Sequence, residues 1–166
     1  MSVPKSLRGE QRLHVHVELR RVAEHTLTKT RNASKFGSVA TYRVTYDESG
    51  RIESVEERRS GSREALARRI EDAALGACEC AWRANDIRVG ELGEGWPERH
   101  ALQEESVRHL DALLMLLNVA RVACGLTGRE VRYWSDITRD TRDLVRRWRD
   151  ADRRRYAGRA PRDEGL

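Results

Sequence analysis

Apolar and polar positions alternate with a helical period along most of this chain. Val15, Leu19, Val22 and Thr26 recur at steps of three or four, with Ala23 and Leu27 beside them. This stripe predicts a helix from about Leu7 to Arg31, the weakest of four. A second, alanine-rich stripe of Leu66, Ile70, Ala73, Ala77, Ala81 and Ala84 predicts a helix over about Ser62 to Ile87. Small side chains on its buried side allow close approach of a neighbour. Ser62 is its expected N-cap, with Glu64 in the first turn, where a carboxylate favours the helix dipole. GELGEGWP, from Gly90 to Pro97, cannot stay in a helix interior and is read as a loop.

The third helix is expected to start near Pro97, a favourable first-turn residue, and to stop at Gly125. Gln103, Val107, Leu110, Leu113, Leu114, Leu117, Ala120 and Cys124 mark its buried side. It is the most hydrophobic segment and the expected centre of the core. Thr127 followed by Glu130 is a capping-box pattern that opens the fourth helix. There Val131, Trp134, Thr138, Thr141, Val145, Trp148 and Asp152 form one face, with mostly Arg and Asp between them.

One stretch breaks the helical period. Tyr42, Val44 and Tyr46 alternate with Thr41, Arg43 and Thr45, the period of a strand. Asp47-Glu48-Ser49-Gly50 is a turn signal, and Ile52 and Val55 lie in the return. A β-hairpin over about Val39 to Arg59 follows. A lone two-stranded hairpin is marginal, so it is expected to lean on the helices or on a partner. The predicted fold is all-α: an up-down-up-down four-helix bundle with a β-hairpin-like insertion (39–60) between the first two helices. A single domain is expected over 1–156, with a frayed tail over 157–166. There is no internal repeat.

The charge balance sharpens this picture. Against 27 acidic residues stand 32 basic ones, net +5. All but Lys5, Lys29 and Lys35 are arginine, which forks onto phosphate and stacks on bases better than lysine does. A polyanionic partner and a salt-bridged solvated surface both fit that excess. The best candidates for phosphate contact are Arg132, Arg139, Arg142, Arg146, Arg149, Arg153, Arg154 and Arg155 on the fourth helix, with Lys5 and Arg8 near the start. Asp136, Asp140, Asp143 and Asp150 dilute them, and the triplet at 153–155 is the least neutralised. Trp134 and Trp148 lie two heptads apart on nearly one face. Packing is the expected role, and base stacking the sharper alternative. Trp96 is a candidate cap for one end of the bundle.

Catalytic chemistry is not written in the chain. It has no Gly-rich phosphate loop, no GxSxG and no HExxH. Cys78-x-Cys80 and His14-x-His16 are two apart, so on a helix they cannot share a ligand face. The cysteines are expected to be buried and structural, and no metal or cofactor is expected. Three cysteines without a signal peptide suit a reducing cytoplasm, and no apolar run approaches the ~20 residues of a membrane span.

Several short motifs together resemble one family. They are Val3-Pro4-Lys5-Ser6-Leu7-Arg8; Asn32…Phe36 with Tyr42-Arg43; Ala84-Asn85; and Arg99…Gln103. The closing pattern is Arg129-Glu130-Val131-Arg132-Tyr133-Trp134, then Leu144…Arg147-Trp148-Arg149…Asp152…Arg155-Tyr156. The chain is similar here to the accessory variability determinant (Avd) proteins of diversity-generating retroelements. It also resembles the four-helix bundles encoded in ribosomal intervening sequences. It departs from them over Tyr46 to Ser62, where a shorter link is expected. The resemblance implies a basic homo-oligomer, a pentamer, that binds reverse transcriptase and template RNA or an RNA/DNA hybrid. Such a protein supports mutagenic cDNA synthesis without catalysing it. The alternative is a protein-interaction scaffold of a phage or mobile element with no nucleic-acid role.

Overall fold

The computed structural model describes residues 5–46, 48 and 51–158, without the side chains of 5–13 and of part of the hairpin. It is mostly helical, with five helices and a small antiparallel sheet. The elements are α1 (Lys5–Thr30), α2 (Ala33–Phe36), β1 (Val39–Tyr46), β2 (Ile52–Ser60), α3 (Ser62–Asp86), α4 (Trp96–Ala123) and α5 (Gly128–Tyr156). The turn signal at Asp47, Ser49 and Gly50 and the tail over 159–166 lie outside the described residues.

Each long helix packs beside two others: α3 lies between α1 and α4, and α5 between α4 and α1. Cross-contacts give the directions. Ser106 Oγ donates to the Ala77 carbonyl (2.8 Å), while Arg63 Nε, at the start of α3, reaches the Ala123 carbonyl at the end of α4 (3.0 Å). Trp134 Nε1, early in α5, donates to Thr26 Oγ1, late in α1 (3.0 Å). Cys78 Sγ meets the Leu19 carbonyl, and Thr30 near the end of α1 bonds Glu71. Neighbouring helices therefore run antiparallel.

The apolar stripes meet as their spacing dictates. Val15, Leu19, Val22, Ile70, Ala77, Leu110, Leu113, Leu117, Trp134 and Val145 form one core. Leu114 is only half-buried, and Leu116 takes a buried place instead, because α3 covers that side of α4. The alanines let α3 and α4 approach closely. Gly76 extends this: a Cβ there would fall 2.6 Å from the His109 ring. Burial explains the cysteines. It pushes the half-buried Cys78 thiol up to about 11, and raises Cys80 and Cys124 as well.

The helix ends are mostly as the sequence requires. Thr127 and Glu130 close a full capping box on α5. Gly125 takes the left-handed φ (60°) that ends α4. Ser62 is not the N-cap of α3. Gly61 precedes the helix without a side-chain cap, and the Ser62 hydroxyl turns to Ser60 Oγ instead (3.0 Å). The four-residue α2 was not visible as a periodicity. It forms because Asn32 accepts from the Ser34 backbone N–H (3.1 Å) and Phe36 drops into the core.

The hairpin forms in the expected place, pairing Val44 with Val55 and Arg43 with Glu56. Among the described residues its backbone makes at most marginal contact with any helix.

Near the other end of the helices lies a buried ion pair. Arg99 is 2% and Asp152 2% exposed. Arg99 Nε and Nη2 both donate to Asp152 Oδ2 (2.9 and 2.6 Å), and its Nη1 donates to the Ala84 and Ile87 carbonyls (3.1 Å each). Gln103 Nε2 adds a third donor to the same carboxylate oxygen (2.9 Å). The guanidinium also lies 5.3 Å from the Trp148 ring centroid. The pair joins α4 to α5 and closes the end of α3. Removing one partner strands the other charge without solvent, which costs about 3–5 kcal/mol. Arg99→Met and Asp152→Ala are each expected to lower the unfolding free energy in urea by about that much. Losses below about 1 kcal/mol would show that the network is not structurally important.

Candidate nucleic-acid interface

The arginine-rich face of α5 is formed by periodicity. With Trp134, Thr138, Thr141, Val145, Trp148 and Asp152 all buried, the intervening arginines are turned outward or along the seam with α4. Trp134 and Trp148 are thereby excluded from base stacking. Trp96 is also buried and stacks near His100 and Tyr156, closing the end of the helices. Trp82 alone among the tryptophans is exposed, at 63%.

The eight candidate arginines of α5 do not form one surface. Arg142 reaches Asp111 (2.9 Å) and Asp143 (3.4 Å), Arg146 reaches Asp111 (3.3 Å), and Arg149 reaches Glu104 and Asp150 (2.9 Å each). These three zip α5 to α4. Burial opposes the charge of Arg142, but Asp111 and Asp143 outweigh it and raise its pKa. Arg139 pairs with Asp136 (2.6 Å). Arg155 lies 4.0 Å from Asp152 and over the Tyr156 ring. Arg132, Arg153 and Arg154 are exposed and make no ion pair among the described residues. The side chains of Lys5 and Arg8 lie outside the described residues.

Sequence reasoning anticipated dilution by aspartates on α5 itself. It missed Asp111 and Glu104 across the seam, which no spacing within one helix reveals. It also missed a basic group where α4 ends and α5 begins. Arg121 and Arg129 are exposed and make no ion pair among the described residues, close in sequence to Arg132. Arg63 and Lys35 converge there on the carbonyls of Ala123 and Gly125 (3.0 and 2.8 Å), complementing the negative end of the α4 dipole. The helix stop at Gly125 was the available signal.

The opposite end carries Arg153 and Arg154 beside an open polar cleft lined by Asn85, Asp86, Arg88, Arg99 and Tyr156. Arg99 is committed to Asp152 and two carbonyls, so it offers the cleft little for an anion. Among the described residues no three His, Cys, Asp or Glu side chains converge as a metal site, and no helix is long and apolar enough to cross a membrane.

His25 faces Tyr133 and Trp134 edge-on, at 5.1 and 5.7 Å between ring centroids, and its Nε2 has no hydrogen-bond partner. Burial, then Lys29 and Arg21, lower its pKa. His16, between Trp82 and Trp148, is lowered by burial, partly offset by Asn85 and Asp86.

No family model, curated protein or solved structure matches the chain.

The two histidines set a pH dependence. Their neutral forms are favoured in the fold, so the unfolded chain takes up protons first as pH falls below about 6.5. The stability they contribute is complete above that pH and is lost as pH falls toward their lower folded values. Melting temperature is expected to drop between pH 7.5 and 5.5, and His25→Gln is expected to flatten the slope. An unchanged slope in the variant would remove His25 from this account.

Proposed function

We propose that this chain is a non-catalytic accessory protein of a diversity-generating retroelement. It binds template RNA and reverse transcriptase through a basic surface of a homo-oligomer, a pentamer in the Avd pattern. Its fold on this reading is an up-down-up-down four-helix bundle, and the contact order α1–α3–α4–α5–α1 supports that. The resemblance of its motifs to Avd proteins supports the family. Several of the residues that carry it, Ala84, Arg99, Gln103, Trp148 and Asp152, meet in one buried network.

The observation that carries the nucleic-acid part is that, among the described residues, exposed arginines at the ends of α4 and α5 make no ion pair: Arg121, Arg129 and Arg132 at one end, Arg153 and Arg154 at the other. Arginines already paired with Asp111 and Glu104 must break those pairs to reach phosphate, so they contribute less. The same pairing favours the second reading, a protein-interaction scaffold for which the α4–α5 seam is only structural.

The test is RNA binding across a salt series. Replacing Arg121, Arg129 and Arg132 by serine is expected to weaken binding to a structured RNA and to lower the slope of log affinity against log salt by about 2–3. Replacing Arg142, Arg146 and Arg149 is expected to change the slope less. No RNA binding by the unaltered protein at low salt would sink this function and leave the scaffold reading.

A further inference from the structure

The hairpin has two open edges, and they are built differently. Among the described residues the sheet has two strands, so the outer sides of β1 and β2 both lack a neighbouring strand. In an antiparallel pair every second residue turns its N–H and C=O outward, so each edge presents backbone groups ready for a further strand. β2 is guarded against that. Five of its nine residues are charged: Glu53, Glu56, Glu57, Arg58 and Arg59. It also carries the bulge, since Thr45 pairs with Ser54 and Tyr46 with Ile52, leaving Glu53 as the extra residue. Charged residues and bulges both obstruct strand addition. β1 has no bulge of its own. Arg43 is the one charge in its eight residues, and valine, threonine and tyrosine fill six of them.

The hairpin also lacks support. A two-stranded hairpin is marginal in water; a third strand or packing on a helix is needed to hold it. Its backbone makes at most marginal contact with the helices among the described residues. Its register puts Tyr42, Val44, Tyr46, Ile52 and Val55 on one face, and Val44 is 36% and Val55 57% exposed. Added strands supply the missing support, and β1 is the edge left open to them.

We propose that β1 of one copy pairs antiparallel with β1 of a second copy across a two-fold axis at Val44. The product is a four-stranded sheet in the order β2-β1-β1-β2. The register follows from the residues. Only an axis on a residue keeps the two apolar faces on the same side, because a one-residue slip turns every position over. An axis on Arg43 sets two arginines opposite each other, which is destabilising. An axis on Tyr42 carries each turn past Ser38 of the other copy, toward its helices. An axis on Val44 avoids both. Tyr42 then lies opposite Tyr46 of the second copy, Arg43 opposite Thr45, and Val44 opposite its counterpart. The helices join the hairpin at Ser38 and Gly61, so the two sets of helices lie at opposite ends of the sheet, with the Ser38 residues about 40 Å apart along the strands.

A second copy is the occupant because self-pairing leaves every remaining edge guarded. The contact is isologous: it uses both β1 edges and turns outward only the bulged, charged β2 edges, so growth stops at two. A strand from a different protein would bring an edge that nothing in this chain protects. The pairing involves no helix, so it is independent of the RNA-binding oligomer of the proposed function, and its failure leaves that reading untouched.

The experiment is disulfide trapping in the full-length protein, with diamide as oxidant and a non-reducing gel as readout. Cys78, Cys80 and Cys124 are buried or half-buried with raised thiol pKa, so they react slowly. Val44→Cys places two thiols within disulfide reach across the axis and is expected to give a covalent species of twice 19.1 kDa. Val55 is the more exposed of the two, so chance collision favours it. In the sheet, however, the two Val55 residues lie three strand spacings apart, about 14 Å, which exceeds that reach. Val55→Cys is therefore expected to stay single. Equal rates for the two variants, or no dimer from Val44→Cys, would overturn the pairing. Hydrogen exchange on the unaltered protein covers the case in which a substitution disturbs the hairpin. The outward amides of β1 are expected to be protected while those of β2 exchange fast; fast exchange along both edges at every concentration overturns the pairing as well.

Discussion

The fold depends on placing one charge where water cannot follow. Arg99 sits at the start of α4 and must find every partner inside the protein: two contacts on Asp152, and the carbonyls that α3 leaves unsatisfied at its end. Those partners belong to two other helix ends, that of α3 and that of α5. The arrangement of α3, α4 and α5 is therefore set more narrowly at this end than apolar packing alone requires, because hydrophobic contact tolerates sliding and a forked guanidinium does not. Gln103 and the Trp148 face complete the enclosure.

That network also shows where the sequence was legible. Asp152 and Gln103 fell on buried stripes by spacing alone, and both are buried. Arg99 is legible only as part of a motif, since an arginine one turn from a helix start reads as solvated. The long helices, the α5 capping box and the hairpin follow local rules of period and capping, so one chain suffices to read them. The departures are tertiary. Leu116 is covered because α3 lies over it. Ser62 is already the first residue of α3, and its hydroxyl pairs with Ser60 Oγ. The arginine surface of α5 was the least legible part, since Asp111 and Glu104 are thirty or more residues away in sequence.

The charge inventory divides accordingly. Of the arginines on α5, those along the seam act as fasteners, and exposed Arg129, Arg132, Arg147, Arg153 and Arg154, most of them near the helix ends, make no ion pair among the described residues. A net excess of five positive charges thus understates the contrast between the middle of the molecule and its ends. Polyanions respond to such local contrast, and total charge is a poor guide to it.

The hairpin stands apart from all of this. It branches from the helices through Gly37 and Ser38 on one side and Gly61 on the other, and scarcely touches the helices between. Two parts of a chain that share few contacts are nearly separate thermodynamic units. Binding energy gathered by the strands stays in the strands. The hairpin is built as a grip rather than as a lever: sparse backbone contact gives what it holds little purchase on the helices beneath.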